Sequence, residues 1–156
     1  MWNGANFHSK EAVPFIDGRF DPLDIVESAL FSYLGTVPMP FYGTATHITH
    51  PSAKGITEHE LAHGQWAFDS AYRTGAQSLL RSHNLTGLFV ALKLRGYCDE
   101  VLEDEAHAQA VFAHPSSRVH IPAELSRDMR SLFLSSFPVD HLRIYTEGLR
   151  DEEWVV

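Results

Sequence analysis

The pentapeptide His59-Glu60-Leu61-Ala62-His63 sets two imidazoles four positions apart, with a carboxylate directly after the first. On a helix, side chains at that offset stand one above the other on the same face. Two imidazoles so placed reach one tetrahedral metal ion from the same side. Glu60, one residue on, is displaced around the helix and faces a metal-bound water rather than the ion. Zinc lowers the pKa of such a water toward neutrality, and the carboxylate takes its proton as it attacks a carbonyl. The H-E-x-x-H pattern therefore makes His59 and His63 the expected zinc ligands and Glu60 the expected general base.

A catalytic zinc takes three protein ligands and keeps one position open, so a third ligand must come from elsewhere. In Val101 to Ala113 (VLEDEAHAQAVFA), a helical step of about 100° per residue gathers Val101, Leu102, Ala108, Phe112 and Ala113 on one apolar face, with Glu105 in its middle. A carboxylate there is costly unless it is metal-bound or paired, for example with Arg95. Glu105 is the first choice. Glu103, which opens a Glu-x-x-Ala pattern, is the runner-up, although the same wheel turns Glu103, Asp104 and His107 away from the apolar face. Asp69 lies six residues after His63, but Trp66 stands where a turn-making glycine would be needed and Gln65 to Tyr72 reads as helix.

Hydrolysis through a tetrahedral intermediate also needs a donor to the developing oxyanion. Tyr97, His114, His120 and Tyr145 are candidates, with His114 and Tyr145 preferred. His47 and Thr49 share one strand face and His50 ends that strand, next to the motif. Trp66 is expected to pack under the metal site. Cys98 has no Cys-x-x-Cys or His-Asn setting and reads as a small packing residue.

These side chains need elements to hold them. Met1 to Arg19 is mixed in type and reads as part of an irregular N-terminal arm over 1–20. Asp21-Pro22 resembles an N-cap and first helical position, followed by apolar residues at helical spacing from Leu23 to Tyr33 and a stop at Gly35. Phe41 to His50 (FYGTATHITH) suits a strand. Thr57 is a plausible N-cap for a long helix over Glu58 to His83, with Gly75 as a kink point, and Asn84 to Gly87 is a loop. Leu88 to Leu94 (LFVALKL) is apolar throughout, which fits either a buried strand or a helix. Helices are expected over Asp99 to Ala113, Ala123 to Ser135 and Val139 to Arg150. Leu125, Met129, Leu132 and Phe133 form a packing stripe at helical spacing.

HELAH followed by a helix carrying Glu-Asp-Glu-Ala-His-Ala resembles the glutamate-ligand branch of the zincin metallopeptidases, over roughly Phe41 to Ala113. The resemblance implies an α+β, helix-rich domain in which the motif helix packs beside a small sheet and the following helix supplies a glutamate ligand. It also implies that Phe41 to His50 is an edge strand, along which a peptide substrate adds by main-chain hydrogen bonds. The aspartate or asparagine that usually follows Glu-x-x-Ala in that branch is absent, so the resemblance does not choose between Glu105 and Glu103.

Composition bounds these expectations. The chain has 156 residues, 44% hydrophobic and 21% charged, consistent with a single zincin-like domain spanning 1–156. The net charge of -8 and the scattered Lys and Arg disfavour a nucleic-acid partner. No apolar run approaches the length of a membrane span, and Met1 to Phe15 lacks the pattern of a signal peptide. With one cysteine and no possible intrachain disulfide, the expected location is cytoplasmic. The expected activity is zinc-dependent hydrolysis of a peptide or protein substrate. The competing expectation is a non-catalytic acidic protein of inhibitor or immunity type, with Asp99, Glu100, Glu103 and Asp104 as its contact surface. A structural zinc closed by His107 or His114 as a fourth ligand is the intermediate case.

Overall fold

A computed structural model describes residues 4–46, 53–112 and 120–136. It is helix-rich with one small sheet. In chain order the elements are β1 (Gly4–His8), α1 (Ser9–Ile16), α2 (Ile25–Leu34), β2 (Tyr42–Thr46), α3 (Ala53–Phe68), α4 (Ser70–Arg81), α5 (Thr86–Leu94), α6 (Leu102–Val111) and α7 (Ala123–Ser136), with a 3-10 turn over Asp99–Val101. β1 and β2 pair antiparallel in a two-stranded sheet with Asn6 opposite Thr44 and His8 opposite Tyr42. None of the described helices is long and apolar enough to cross a membrane.

The N-terminal arm differs most from its expectation. Instead of irregular chain it provides β1 and α1, joined at His8. The His8 ring accepts from the Lys10 N–H while Glu11 reaches back to the His8 N–H at 2.8 Å, a reciprocal cap that starts α1 directly off the strand. The next helix begins later than Asp21-Pro22 suggests. Asp24 accepts from the N–H groups of Val26 and Glu27, both at 2.8 Å, and Glu27 returns a bond to the Asp24 N–H. Two satisfied orphan donors at Asp24 outweigh a cap at Asp21.

The long helix expected from Glu58 starts earlier, at Ala53, and is broken in two. Asp69 leaves helical geometry and its carboxylate accepts from the N–H groups of Ala71 and Tyr72, both at 2.9 Å, so it ends α3 and caps α4. Gly75 is not the break. It lies inside α4, where an added Cβ would press Leu132 of α7 at 3.3 Å, so its role is close helix packing. The apolar run Leu88 to Leu94 is helical, and α5 starts within the expected loop, at Thr86.

The core lies where α3, α4, α5, α6 and α7 meet: Tyr72, Ala76, Leu80, Leu88, Leu92, Leu125, Met129 and Phe133 are all buried in one cluster. α6 runs through this cluster and is buried on every side from Glu105 to Val111. Its alanines at 106, 108 and 110, all fully buried, let α3 and α7 approach it closely. His107, which the helical wheel turned away from the apolar face, is therefore fully buried, whereas Asp104 is only partly so. Val101, placed on the apolar face by the wheel, is 40% exposed. The expected helix Val139 to Arg150 lies outside the described residues.

Candidate metal centre

The candidate side chains converge where α3 crosses α6. The turn spacing of α3 sets His59 and His63 on one face, their rings 5.0 Å apart and nearly perpendicular. α6 brings Glu105 opposite them. His59 Nε2 lies 3.7 Å from Glu105 Oε1, and His63 Nε2 lies 3.5 Å from Glu105 Oε2. The ligand atoms of all three residues fall within 4.8 Å of one another.

Those separations test whether a metal fits. They are longer than ordinary hydrogen bonds. Donor atoms of a tetrahedral zinc, each about 2.0–2.2 Å from the ion, stand roughly 3.3–3.6 Å from one another. The two His–Glu separations, to the two oxygens of Glu105, are close to that edge length, and two imidazoles with a carboxylate are a donor set that could hold a metal ion such as zinc.

Each of these three side chains has a partner behind it. His63 turns Nδ1 to Asp104 Oδ1 at 2.9 Å, which aims Nε2 at the centre of the cluster. His59 hydrogen-bonds the Ala108 carbonyl. Glu105 Oε1 accepts from Gln109 Nε2 at 2.7 Å, one turn along α6. Asp104 is also backed by His107, whose Nδ1 lies 3.6 Å from the same oxygen. His107 is fully buried: its Nε2 lies 2.6 Å from the Tyr72 hydroxyl and its ring stacks on Trp66 at 5.0 Å. These are the contacts that typically orient metal-binding imidazoles.

The protonation equilibria reflect this packing. Burial opposes charge on His63, but its close contacts with the carboxylates of Asp104 and Glu105 outweigh it and push its pKa up to about 10. Burial dominates at His59 and lowers its pKa. Asp104 and Glu105 are desolvated, which alone would raise them, yet the facing histidines hold both below the usual carboxylate range.

No family model, curated protein or solved structure matches the chain.

Glu60 is buried beside the cluster, and its Oε2 accepts from Asn6 Nδ2 of β1. Glu103 lies elsewhere, accepting from Gln77 Nε2 at 2.8 Å and lying 3.5 Å from Arg81, so the alternative third ligand belongs to the α4–α6 contact. Asp69 is the helix cap already described. His107, between Tyr72 and Trp66, is turned from the cluster and adds no fourth ligand in this arrangement. Of the four acids expected to form a contact surface, Asp104 faces His63 and Glu103 engages α4.

Among the oxyanion candidates, Tyr97 is 38% exposed and stands at the site, its pKa raised by burial and by the Glu105 carboxylate, to which it hydrogen-bonds. His120 packs near Gly87 on α5 instead. His114, Tyr145, His47 and His50 lie outside the described residues. Sequence reasoning missed Asn6 entirely and assigned Asp104 to solvent. Asn6 stood in a stretch with no periodic signal, and Asp104 needed the position of α3 to be known.

Proposed function

We propose that this chain is a zinc-dependent hydrolase of the zincin type, cleaving peptide bonds with Glu60 as general base. The observation that carries the reading is the convergence of His59, His63 and Glu105 within 4.8 Å, with Glu60 adjacent on the same helix. When bound there, a zinc ion supplies Lewis acidity to a water and to the substrate carbonyl. Glu60 accepts the proton of the attacking water and returns it to the leaving amine nitrogen. The Tyr97 hydroxyl, beside Glu105, is the described group best placed to donate to the carbonyl oxygen as it gains charge. β2 packs along α3 and pairs with β1 on one edge only among the described residues. A peptide adding along its other edge would use main-chain hydrogen bonds and pass the cluster.

The test is metal content of the purified chain, wild type beside His63→Ala and Glu105→Ala, followed by assay against a quenched fluorescent peptide library. The reading expects near-stoichiometric zinc in the wild type, loss in both variants and cleavage by the zinc-loaded protein. A wild type that takes up no zinc on incubation with it would sink the hydrolase reading and favour the acidic binding protein.

A further inference from the structure

The general base is tied to the N-terminal strand as well as to its own helix. Asn6 on β1 donates from Nδ2 to Glu60 Oε2, across 54 positions of sequence, and its Oδ1 accepts from the Tyr42 hydroxyl of β2 at 2.7 Å. The orientation of the Asn6 amide follows from its partners. An ionised carboxylate only accepts, so the NH2 side must face Glu60, and the carbonyl side then faces the one hydroxyl that donates to it. Flipping the amide would set oxygen against oxygen at Glu60.

Tyr42 is fixed in turn by the motif helix. Gly64, the residue after His63, lies directly under its ring: a Cβ at Gly64 would come to 3.0 Å from Tyr42 Cδ1. Phe68, one turn further along α3, meets the same ring edge-on at 6.2 Å between centroids. The sheet therefore docks on α3 through Tyr42, and the docking carries Asn6 to Glu60. A glutamate on a helix otherwise samples several rotamers about its rotatable bonds. Holding Oε2 leaves Oε1 as the oxygen that receives a proton. An asparagine suits the task because it donates without bringing a second negative charge.

We infer that Asn6, locked by Tyr42, is a positioning residue that fixes the Glu60 carboxylate beside the His59–His63–Glu105 cluster, making the N-terminal strand part of the working site. The kinetic side of this inference rests on the hydrolase reading. Its geometric side does not.

The experiment uses the full chain, zinc-loaded, as wild type, Asn6→Ala, Asn6→Asp, Tyr42→Phe and Glu60→Ala. Asn6 is exposed and Tyr42→Phe keeps the ring on Gly64, so the fold is expected to survive; metal content and thermal melting check this. The first readout is the Asn6 side-chain amide in a nitrogen–proton correlation spectrum. Its resonances are expected to shift in Glu60→Ala and in Tyr42→Phe. The second is peptide cleavage: Asn6→Ala is expected to lower kcat roughly tenfold to a hundredfold with KM and zinc content unchanged, as orienting residues behind a site do. Asn6→Asp, which sets two carboxylates against each other, is expected to lower kcat further. Asn6 resonances indifferent to Glu60→Ala would overturn the inference, as would an unchanged kcat in Asn6→Ala. An inactive wild type with the Asn6–Glu60 coupling intact would retire the hydrolase reading while leaving the fixed orientation of Glu60 established.

Discussion

His63 Nδ1 and Asp104 Oδ1 meet at 2.9 Å across the contact of α3 with α6. This one pairing decides which ring nitrogen of His63 faces the cluster, and it ties the cluster to the packing of two helices. Buried His107 lies on the other side of Asp104, its Nδ1 3.6 Å from the same oxygen and its Nε2 2.6 Å from the Tyr72 hydroxyl.

Replacing Asp104 should weaken the metal without abolishing it. Asp104→Asn is expected to reduce zinc affinity roughly 10- to 100-fold, because the imidazole keeps a neighbour but loses the charge that orients it. Glu103→Gln, one residue earlier, should leave affinity unchanged, since Glu103 engages Gln77 and Arg81. Competition titration with a chromogenic chelator separates the two variants; equal losses would mean that the whole N-terminal turn of α6, not Asp104, supports the site.

Glu60→Gln keeps the shape of the side chain and removes its basicity. The variant should retain wild-type zinc content and lose activity by roughly 10²–10⁴-fold, the range for a positioned acid–base group. Steady-state cleavage of a fluorogenic peptide, with metal analysis of the same sample, makes the comparison. Residual activity near the wild-type level would remove Glu60 from the chemistry.

The zinc-free protein should lose stability as pH rises. The folded pKa of His63 is pushed up to about 10, well above its unfolded value of about 6.5. Its protonated form therefore stabilises the fold fully below about 6.5, and that contribution disappears as pH climbs toward 10. A zinc ion bound to the cluster would take the place of that proton, so the slope should vanish in the loaded protein. Binding at pH 8 should also release a proton. Melting curves from pH 6 to 10 with and without chelator test the first point. Calorimetric titration in two buffers of different ionisation enthalpy tests the second.

Gly55→Ala distinguishes packing from helix propensity. In an exposed helix interior, alanine for glycine stabilises by about 1 kcal/mol. Gly55 is buried in α3, and a Cβ there would overlap the ring of Phe112 just past α6. Overpacking of this kind costs about 1–3 kcal/mol, so net destabilisation is expected. Denaturant midpoints measure it, and a rise would show that Phe112 has room to move aside.

The local part of this protein is legible in its residues. The pairing of His59 with His63 follows from helical spacing alone, as does the buried stripe Leu125, Met129 and Phe133 of α7. What periodicity did not reach is anything that depends on which helix lies opposite. α6 is buried all round, so a wheel drawn for a one-faced helix turned Asp104 and His107 outward, when α3 and α4 supply them with partners. The separation of Glu105 from Glu103 was likewise decided by the neighbours: α3 faces one, α4 the other. Asn6 reaches Glu60 across 54 positions, a contact made by docking a short strand on a distant helix, and no local pattern encodes such a contact. Spacing along one helix fixes which side chains share a face; only the packing of helices and sheet fixes what that face meets.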